Sequence, residues 1–198
     1  MELIVISPET IIQDEANVIC MLLEAGVQRY HIRKPNTLPE HIFTLMDKIP
    51  SDYHHLISLH YYTQLLESFP EIGLHISGNL NTHDRNKVLE RASVKSASCH
   101  TFKECVDLDN KIDYSFLSPV YSSISKDGYC PKYTQSEFQT FLSQPRKSKI
   151  IALGGVEASN KSIVKAMGFD GIAIMGYLWK NSSLNLKVLE SRCKSLLV

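Results

Sequence analysis

The segment 150–160, IIALGGVEASN, followed by 168–179, GFDGIAIMGYLW, decides how this chain folds. Each is a short apolar run ending in small residues, Gly154 and Gly155 after the first and Gly176 after the second. Apolar runs of this length read as buried strands, and the helical spacing of Ala158–Met167 between them makes a strand–helix–strand unit. Glycine exposes backbone N–H groups without side-chain bulk, which suits a turn that approaches an anion. The same residues also serve tight strand-to-helix turns in their own right. Their occurrence on two neighbouring strands late in the chain points to phosphate, because the loops after the last two strands of a barrel commonly hold one.

The alternation runs back to the start of the chain. Strands are expected at Leu3–Ile6, Arg29–Arg33, Leu56–His60, Leu74–Ile76, Val94–Ser98, Tyr114–Leu117, Ile150–Leu153 and Gly171–Ile174. Helical periodicity falls between them, at Thr10–Glu24, Pro39–Lys48, Tyr62–Ser68, Thr82–Glu90, Phe102–Val106, Gln135–Leu142, Ala158–Met167 and Ser183–Leu197. Strands alternating with helices imply a parallel sheet, and eight units favour a closed (β/α)8 TIM barrel over an open doubly wound sheet. The barrel fills residues 1–198 as a single domain with short loops. The longest irregular stretch, Ser118–Thr134, would lie over the mouth, as a lid or as an ordinary surface connection.

With 21 basic and 21 acidic residues, net charge suggests neither a nucleic-acid surface nor a polybasic membrane contact. The five cysteines, Cys20, Cys99, Cys105, Cys130 and Cys193, are scattered without a C-x-x-C pair, as expected of reduced thiols in a cytoplasmic protein. No apolar run approaches membrane-span length, and the N-terminus lacks the pattern of a signal peptide. The expected partner is a small phosphorylated molecule.

Seven motifs carry a family resemblance: MELIVIS at the first strand, YHIRKP at the second, GLHISG at the fourth, SASCHTFKE at the fifth, DYSFLSPVYSSISK at the sixth, IIALGGV at the seventh and DGIAIMG at the eighth. In this order and spacing the chain resembles the thiamine-phosphate synthase and TenI family, over nearly its whole length. The resemblance implies a role in thiamin biosynthesis and a phosphorylated heteroaromatic ligand. Synthases of the family join a hydroxymethylpyrimidine diphosphate to a thiazole phosphate, with Mg2+ and basic groups supporting the departing diphosphate. TenI members tautomerise a thiazole carboxylate phosphate through a histidine near the sixth strand. Carried over, the phosphate contacts are Gly154, Gly155, Met175 and Gly176. Arg33 and Lys126 match the family's second-strand arginine and the lysine ending the loop after the sixth strand, and Ser98 and His100 match its fifth-strand serine and histidine.

The departures fall on the chemistry. Where a synthase carries glutamine, arginine and lysine on the second strand, this chain has His31, Arg33 and Pro35. The third-strand Asn-Asp-Arg stretch becomes His60, Tyr61 and Tyr62, and the second metal-binding aspartate falls near Leu80, with Asp84 the nearest carboxylate downstream. The aspartate ligands that Mg2+ would use are thus missing, so no metal ligands are assigned. The TenI histidine is replaced by Ser118, which has no proton-shuttling pKa near neutrality.

Four histidines fall near the C-terminal ends of consecutive strands: His31, His60, His75 and His100. Strand alternation points His31 and Arg33 to the same side. Imidazoles there could act as acid–base groups or bind a transition metal, or could be independent hydrogen-bonded residues. His31 and His60 join Arg33 and Lys126 as catalytic candidates, with the latter two facing each other across the mouth as a clamp for a second anionic group. His54 and His55 precede their strand and are expected at the surface. Tyr61, Tyr62, Tyr121 and Tyr177 fit core packing or a stack on a ligand ring. Trp179 fits packing on the final helix or a contact in a homo-oligomer. Synthase, tautomerase, non-catalytic binding paralogue and another phosphate-binding barrel enzyme all stay open at this point.

Overall fold

The computed structural model describes residues 1–76, 90–122, 131–180 and 185–197. Eight strands form one closed barrel: β1 (Glu2–Ile6), β2 (Arg29–Ile32), β3 (Ile57–Leu59), β4 (Gly73–Ile76), β5 (Lys95–Cys99), β6 (Tyr114–Leu117), β7 (Lys149–Leu153) and β8 (Gly171–Ile174). Each pairs in parallel with the next, and β8 returns to β1 through Leu3 opposite Ile172 and Val5 opposite Ile174. Every expected strand is present, with bounds shifted by at most one residue.

Alternation along these strands separates two sets of side chains. Leu3, Val5, Tyr30, Ile32, Leu59 and Ile172 point outward and join the buried layer under the helices. Ile4, Ile6, Tyr114, Phe116, Ile151 and Ala173 point inward as a separate cluster that fills the barrel beside β1 and β6–β8. The interior beside β2–β5 is different. There the inward positions are His31, Ser58, His60, His75 and Ser96, all buried. Half the barrel lumen is hydrocarbon and half is a polar network, which must satisfy its own hydrogen bonds.

The helices follow their start signals where those signals are local. Thr134 and Glu137 form a reciprocal capping box on Gln135–Leu142, and Thr101 caps Phe102–Leu108 by accepting from the Glu104 N–H. The helix expected from Thr10 instead begins at Glu15. The preceding residues are drawn elsewhere: the Thr10 carbonyl accepts from Lys34, the Ile12 N–H donates to the Glu15 carboxylate, and Asp14 takes a left-handed φ of 53°.

Ala158–Met167 shortens to Lys161–Ala166 because Glu157 and Asn160 close a turn ahead of it. Tyr62–Ser68 becomes a 3-10 turn over Thr63–Glu67. A further 3-10 turn, Ser51–Leu56, carries His54 and His55. His55 is exposed as expected, but His54 is half-buried, with its ring against Phe69 and Nε2 bonded to the Ile49 carbonyl. The last helix is Leu186–Leu197; its expected first residue, Ser183, lies outside the described residues, as does Thr82–Glu90 apart from Glu90. Among the described residues no helix is long and apolar enough to cross a membrane.

Candidate functional site

The C-terminal ends of β7 and β8 form one side of the mouth. Gly154 and Gly155 have φ values of 94° and 65°, in the left-handed region that glycine enters at little cost. Space makes the same demand. A Cβ on Gly154 would lie 3.0 Å from Pro119 Cα, and one on Gly155 would lie 2.7 Å from Tyr121 Cβ and 2.8 Å from the Ser122 carbonyl. The turn is laced to the segment after β6: the Val120 and Tyr121 N–H groups donate to the Leu153 and Gly154 carbonyls, both at 3.0 Å.

Beside it, Met175 closes β8 and packs on the inner apolar cluster, and Gly176 opens the short helix Gly176–Trp179. Trp179 ties that helix to the end of β1, its indole N–H donating to the Ile6 carbonyl at 2.7 Å. Tyr121 contributes a buried hydroxyl with no hydrogen-bond partner among the described residues.

Opposite, β2–β5 bring the histidines together. His31 Nδ1 lies 3.0 Å from His60 Nε2, and His31 Nε2 lies 2.6 Å from the Tyr114 hydroxyl. His75 bridges two hydroxyls of β5, Nδ1 to Ser96 Oγ at 2.9 Å and Nε2 to Ser98 Oγ at 2.8 Å. Its ring stacks on His60 at 4.1 Å and on Phe116 at 4.8 Å. His31, His60 and His75 are therefore one cluster.

Burial is the main reason these imidazoles resist protonation, with mutual repulsion and the nearby arginines adding to it. His31 and His60 are held well below the ordinary histidine range, and His75 is pushed down to about 3. All three are neutral at neutral pH. His100 stands apart at the rim, exposed, with Nδ1 donating to the Ser118 carbonyl at 3.1 Å and lying 3.3 Å from Ser118 Oγ.

Arg33 also reaches the rim. Its guanidinium pairs with Glu9 from the segment after β1, so its partner is a neighbour rather than a group across the barrel. Both arginine and carboxylate keep solvent contact, at 29% and 51% exposure. The expected opposing cation, Lys126, lies outside the described residues, as do Leu80 and Asp84.

Lys34 was hidden from sequence reasoning by its place between Arg33 and Pro35. Its side chain is fully buried, and its ammonium meets Glu15 Oε1 at 2.7 Å, the Thr10 carbonyl at 2.7 Å and the Pro8 carbonyl at 2.9 Å. These contacts spend all three donors on the scaffold. The available signal was the pairing of a lone lysine beside a strand end with Glu15 in the preceding amphipathic helix.

Tyr61 lies half-buried at the end of β3, 6.3 Å ring to ring from His60, while the buried Tyr62 donates its hydroxyl toward the Lys34 and Thr37 carbonyls. A cavity of about 650 Å³ opens at the other end of the barrel, lined by Glu2, Arg29, Lys95, Asp113 and Lys149 among others. It lies at strand N-termini, whereas barrel chemistry is built at the C-terminal ends.

Residues 3–178 match the family model described as thiamine monophosphate synthase, TMP-TENI. The chain belongs to the thiamine monophosphate synthase family. Among curated relatives, the thiamine-phosphate synthase of Flavobacterium psychrophilum is 22% identical over 187 residues, covering 90% of this chain and 91% of that protein. The Staphylococcus epidermidis thiamine-phosphate synthase is 22% identical over 179 residues, covering 84% and 82%. Thiamine phosphate pyrophosphorylase from Bacteroides thetaiotaomicron superposes with a TM-score of 0.81 at 28% identity, covering all of this chain and 96% of the other. The Pyrococcus furiosus enzyme of that name shares the fold at 16% identity and a TM-score of 0.78. The matched residues span all eight strands.

Proposed function

We propose that this chain binds thiazole phosphate or thiamin phosphate at the C-terminal mouth of its barrel, as a divergent member of the thiamine monophosphate synthase family. The observation that carries this reading is the adjacency of the Gly154–Gly155 turn to the Met175–Gly176 corner. Two neighbouring strand ends there present backbone with almost no side-chain bulk, the arrangement phosphate groups favour on this fold. Tyr121, whose Cβ lies against Gly155, carries a buried hydroxyl without a hydrogen-bond partner among the described residues, a donor open to a ligand.

In this reading the ring system of the ligand extends from the phosphate toward β2–β5. Arg33 lies at the rim, where a second anionic group competes with Glu9 for the guanidinium, and Ser98 and His100 line the β5 side. Lys126 would complete the clamp. His60 is the least enclosed member of the cluster and meets the ligand first. His60, His31 and Tyr114 form a continuous hydrogen-bonded chain that fixes the orientation of the His60 ring.

Mg2+ fits this donor set poorly. It takes oxygen ligands, usually carboxylates together with substrate phosphates. The end of β3 offers His60, Tyr61 and Tyr62 instead, and among the described residues the one cluster of three ligating side chains is all nitrogen. No step is assigned to Mg2+.

A TenI-like tautomerase is the second reading, and His100 favours it. Its imidazole touches Ser118, the position where the resemblance implies the proton-moving histidine, so a ring from the neighbouring strand end stands close to the vacated place. A non-catalytic regulatory paralogue would bind the same ligands without turning them over. The test is turnover by purified protein, with hydroxymethylpyrimidine diphosphate plus thiazole phosphate in one assay and the thiazole carboxylate phosphate tautomer in another. Product in the first supports the synthase, product only in the second the tautomerase, and binding without either the paralogue.

A further inference from the structure

We propose that His31, His60 and His75 form a binding site for a first-row transition cation of the Zn2+ class inside the barrel. The site goes beyond the thiamin-ligand reading and does not depend on it. It rests on convergence, outer support and donor chemistry.

Convergence comes from three adjacent strands. β2, β3 and β4 each aim one imidazole inward, and one ligating nitrogen from each lies within 4.8 Å of the other two. Zn–N bonds of about 2.0–2.1 Å in tetrahedral geometry set neighbouring nitrogens about 3.3 Å apart. The His31–His60 edge already measures 3.0 Å as a hydrogen bond, and the cation replaces it once both rings carry their N–H on the other nitrogen. The His75 ring, stacked at 28° on His60, must rotate to bring its nitrogen to the same point.

Outer support is in place for two of the three rings. A histidine that ligates metal usually has its other nitrogen held by a polar group that fixes ring and tautomer. The Tyr114 hydroxyl holds the outer nitrogen of His31. His75 is held on both sides by Ser96 and Ser98, so that one hydroxyl yields its nitrogen to the cation while the other keeps the ring in place. Apolar walls complete the cup, with Phe116 stacked on His75 and tilted against His31 at 4.8 Å.

The donor chemistry selects the cation. Three neutral imidazoles without a carboxylate suit Zn2+, Co2+ or Ni2+ and give a hard cation such as Mg2+ nothing. Buried in the barrel, three such rings cost more to desolvate than aliphatic side chains, a cost that a bound cation offsets. His31 and His75 are 0% and 2% exposed, whereas His60 is 8% exposed, so the way in from the mouth passes His60. A small anion or water completes the coordination.

The experiment titrates chelator-stripped full-length protein with Co2+, read by visible absorption, and with Zn2+, read by calorimetry. The expected result is one cation per chain, an intense tetrahedral Co2+ band, displacement by Zn2+ and no competition from Mg2+. Tyr114→Phe and Ser96→Ala weaken affinity by about 10- to 100-fold. His60→Gln removes the band, while His54→Gln/His55→Gln retains it. Histidine ring 15N NMR of the wild type covers the case in which a cluster variant fails to fold: Zn2+ should shift the ring signals of His31, His60 and His75. Absence of stoichiometric binding, binding that survives His60→Gln, or ring shifts confined to other histidines overturns the proposal. None of these readouts involves a thiamin ligand, so failure here is distinct from failure of the proposed function.

Discussion

The Lys34 ammonium lies 2.7 Å from the Glu15 carboxylate, with both side chains sealed from solvent at 0% and 1% exposure. The pair joins the C-terminal end of β2 to the first turn of the helix after β1, and the same ammonium holds the Pro8 and Thr10 carbonyls. Glu15 has further donors in the Ile12 N–H and the Tyr30 hydroxyl. The segment after β1, which presents Glu9 to Arg33, is positioned by this buried pair. Desolvation lowers the Lys34 pKa, and the facing Glu15 carboxylate opposes that shift.

Breaking that pair from one side should be costly. Lys34→Met leaves a buried carboxylate without its cation and should lower unfolding free energy by about 3–5 kcal/mol in urea titrations. Lys34→Met/Glu15→Leu should recover much of the loss, because two apolar side chains leave no orphaned charge. A single-variant loss under about 1 kcal/mol, the size of an exposed pair, would show that the pair contributes little.

The histidine cluster predicts acid sensitivity. His31, His60 and His75 have native pKa values below the unfolded value of 6.5, that of His75 lying at about 3. The unfolded chain therefore binds protons that the native state refuses, and stability must fall as pH drops below 6.5 until the native rings titrate. Each histidine contributes up to about 1.4 kcal/mol per pH unit across that window. Denaturant midpoints measured between pH 7.5 and 5 should decline steeply in the range where carboxylates are still ionised. A flat profile there would mean the rings are solvated and titrate normally.

Gly155 couples fold to site. With φ at 65° and a would-be Cβ 2.7 Å from Tyr121, Gly155→Ala strains its own backbone and pushes the segment after β6 away. The backbone term alone should cost about 1–2 kcal/mol in thermal or urea unfolding. Affinity for thiamin phosphate should fall further than affinity for thiamin, since the displaced amides are the ones proposed to serve the phosphate. Equal loss for both ligands would detach the turn from phosphate binding.

Mg2+-dependent synthase turnover should be weak in the wild type. A neutral phenol at Tyr61 gives a hard cation little, and Leu80 gives it none. Tyr61→Asp/Leu80→Asp should raise Mg2+-dependent product formation. Robust wild-type turnover that depends on Mg2+ would contradict this.

The barrel was legible because its signals are local: short apolar runs such as Ile150–Leu153 closed by glycine, alternating with helical periodicity. Alternation along β2 was readable too, since a strand's period of two survives packing and sets His31 on the face opposite Tyr30 and Ile32. What escaped was decided by contacts distant in sequence. Glu15 rather than Thr10 begins the first helix because Lys34 claims the Thr10 carbonyl 24 residues away. His60 and His75 look like separate strand ends until the barrel closes and stacks them at 4.1 Å. Likewise, the glycines of the β7 turn gave no sign that Pro119 and Tyr121 would lie against them.

A phosphate cup at the ends of β7 and β8 is what the proposed function stands on. Its most direct test is calorimetric titration of the wild-type protein with thiamin phosphate and with thiamin under identical conditions. Thiamin phosphate should bind saturably and at least about tenfold more tightly, the equivalent of about 1.4 kcal/mol and within reach of a single charge-assisted hydrogen bond. Equal affinity for the two, or no binding of thiamin phosphate, would contradict the account.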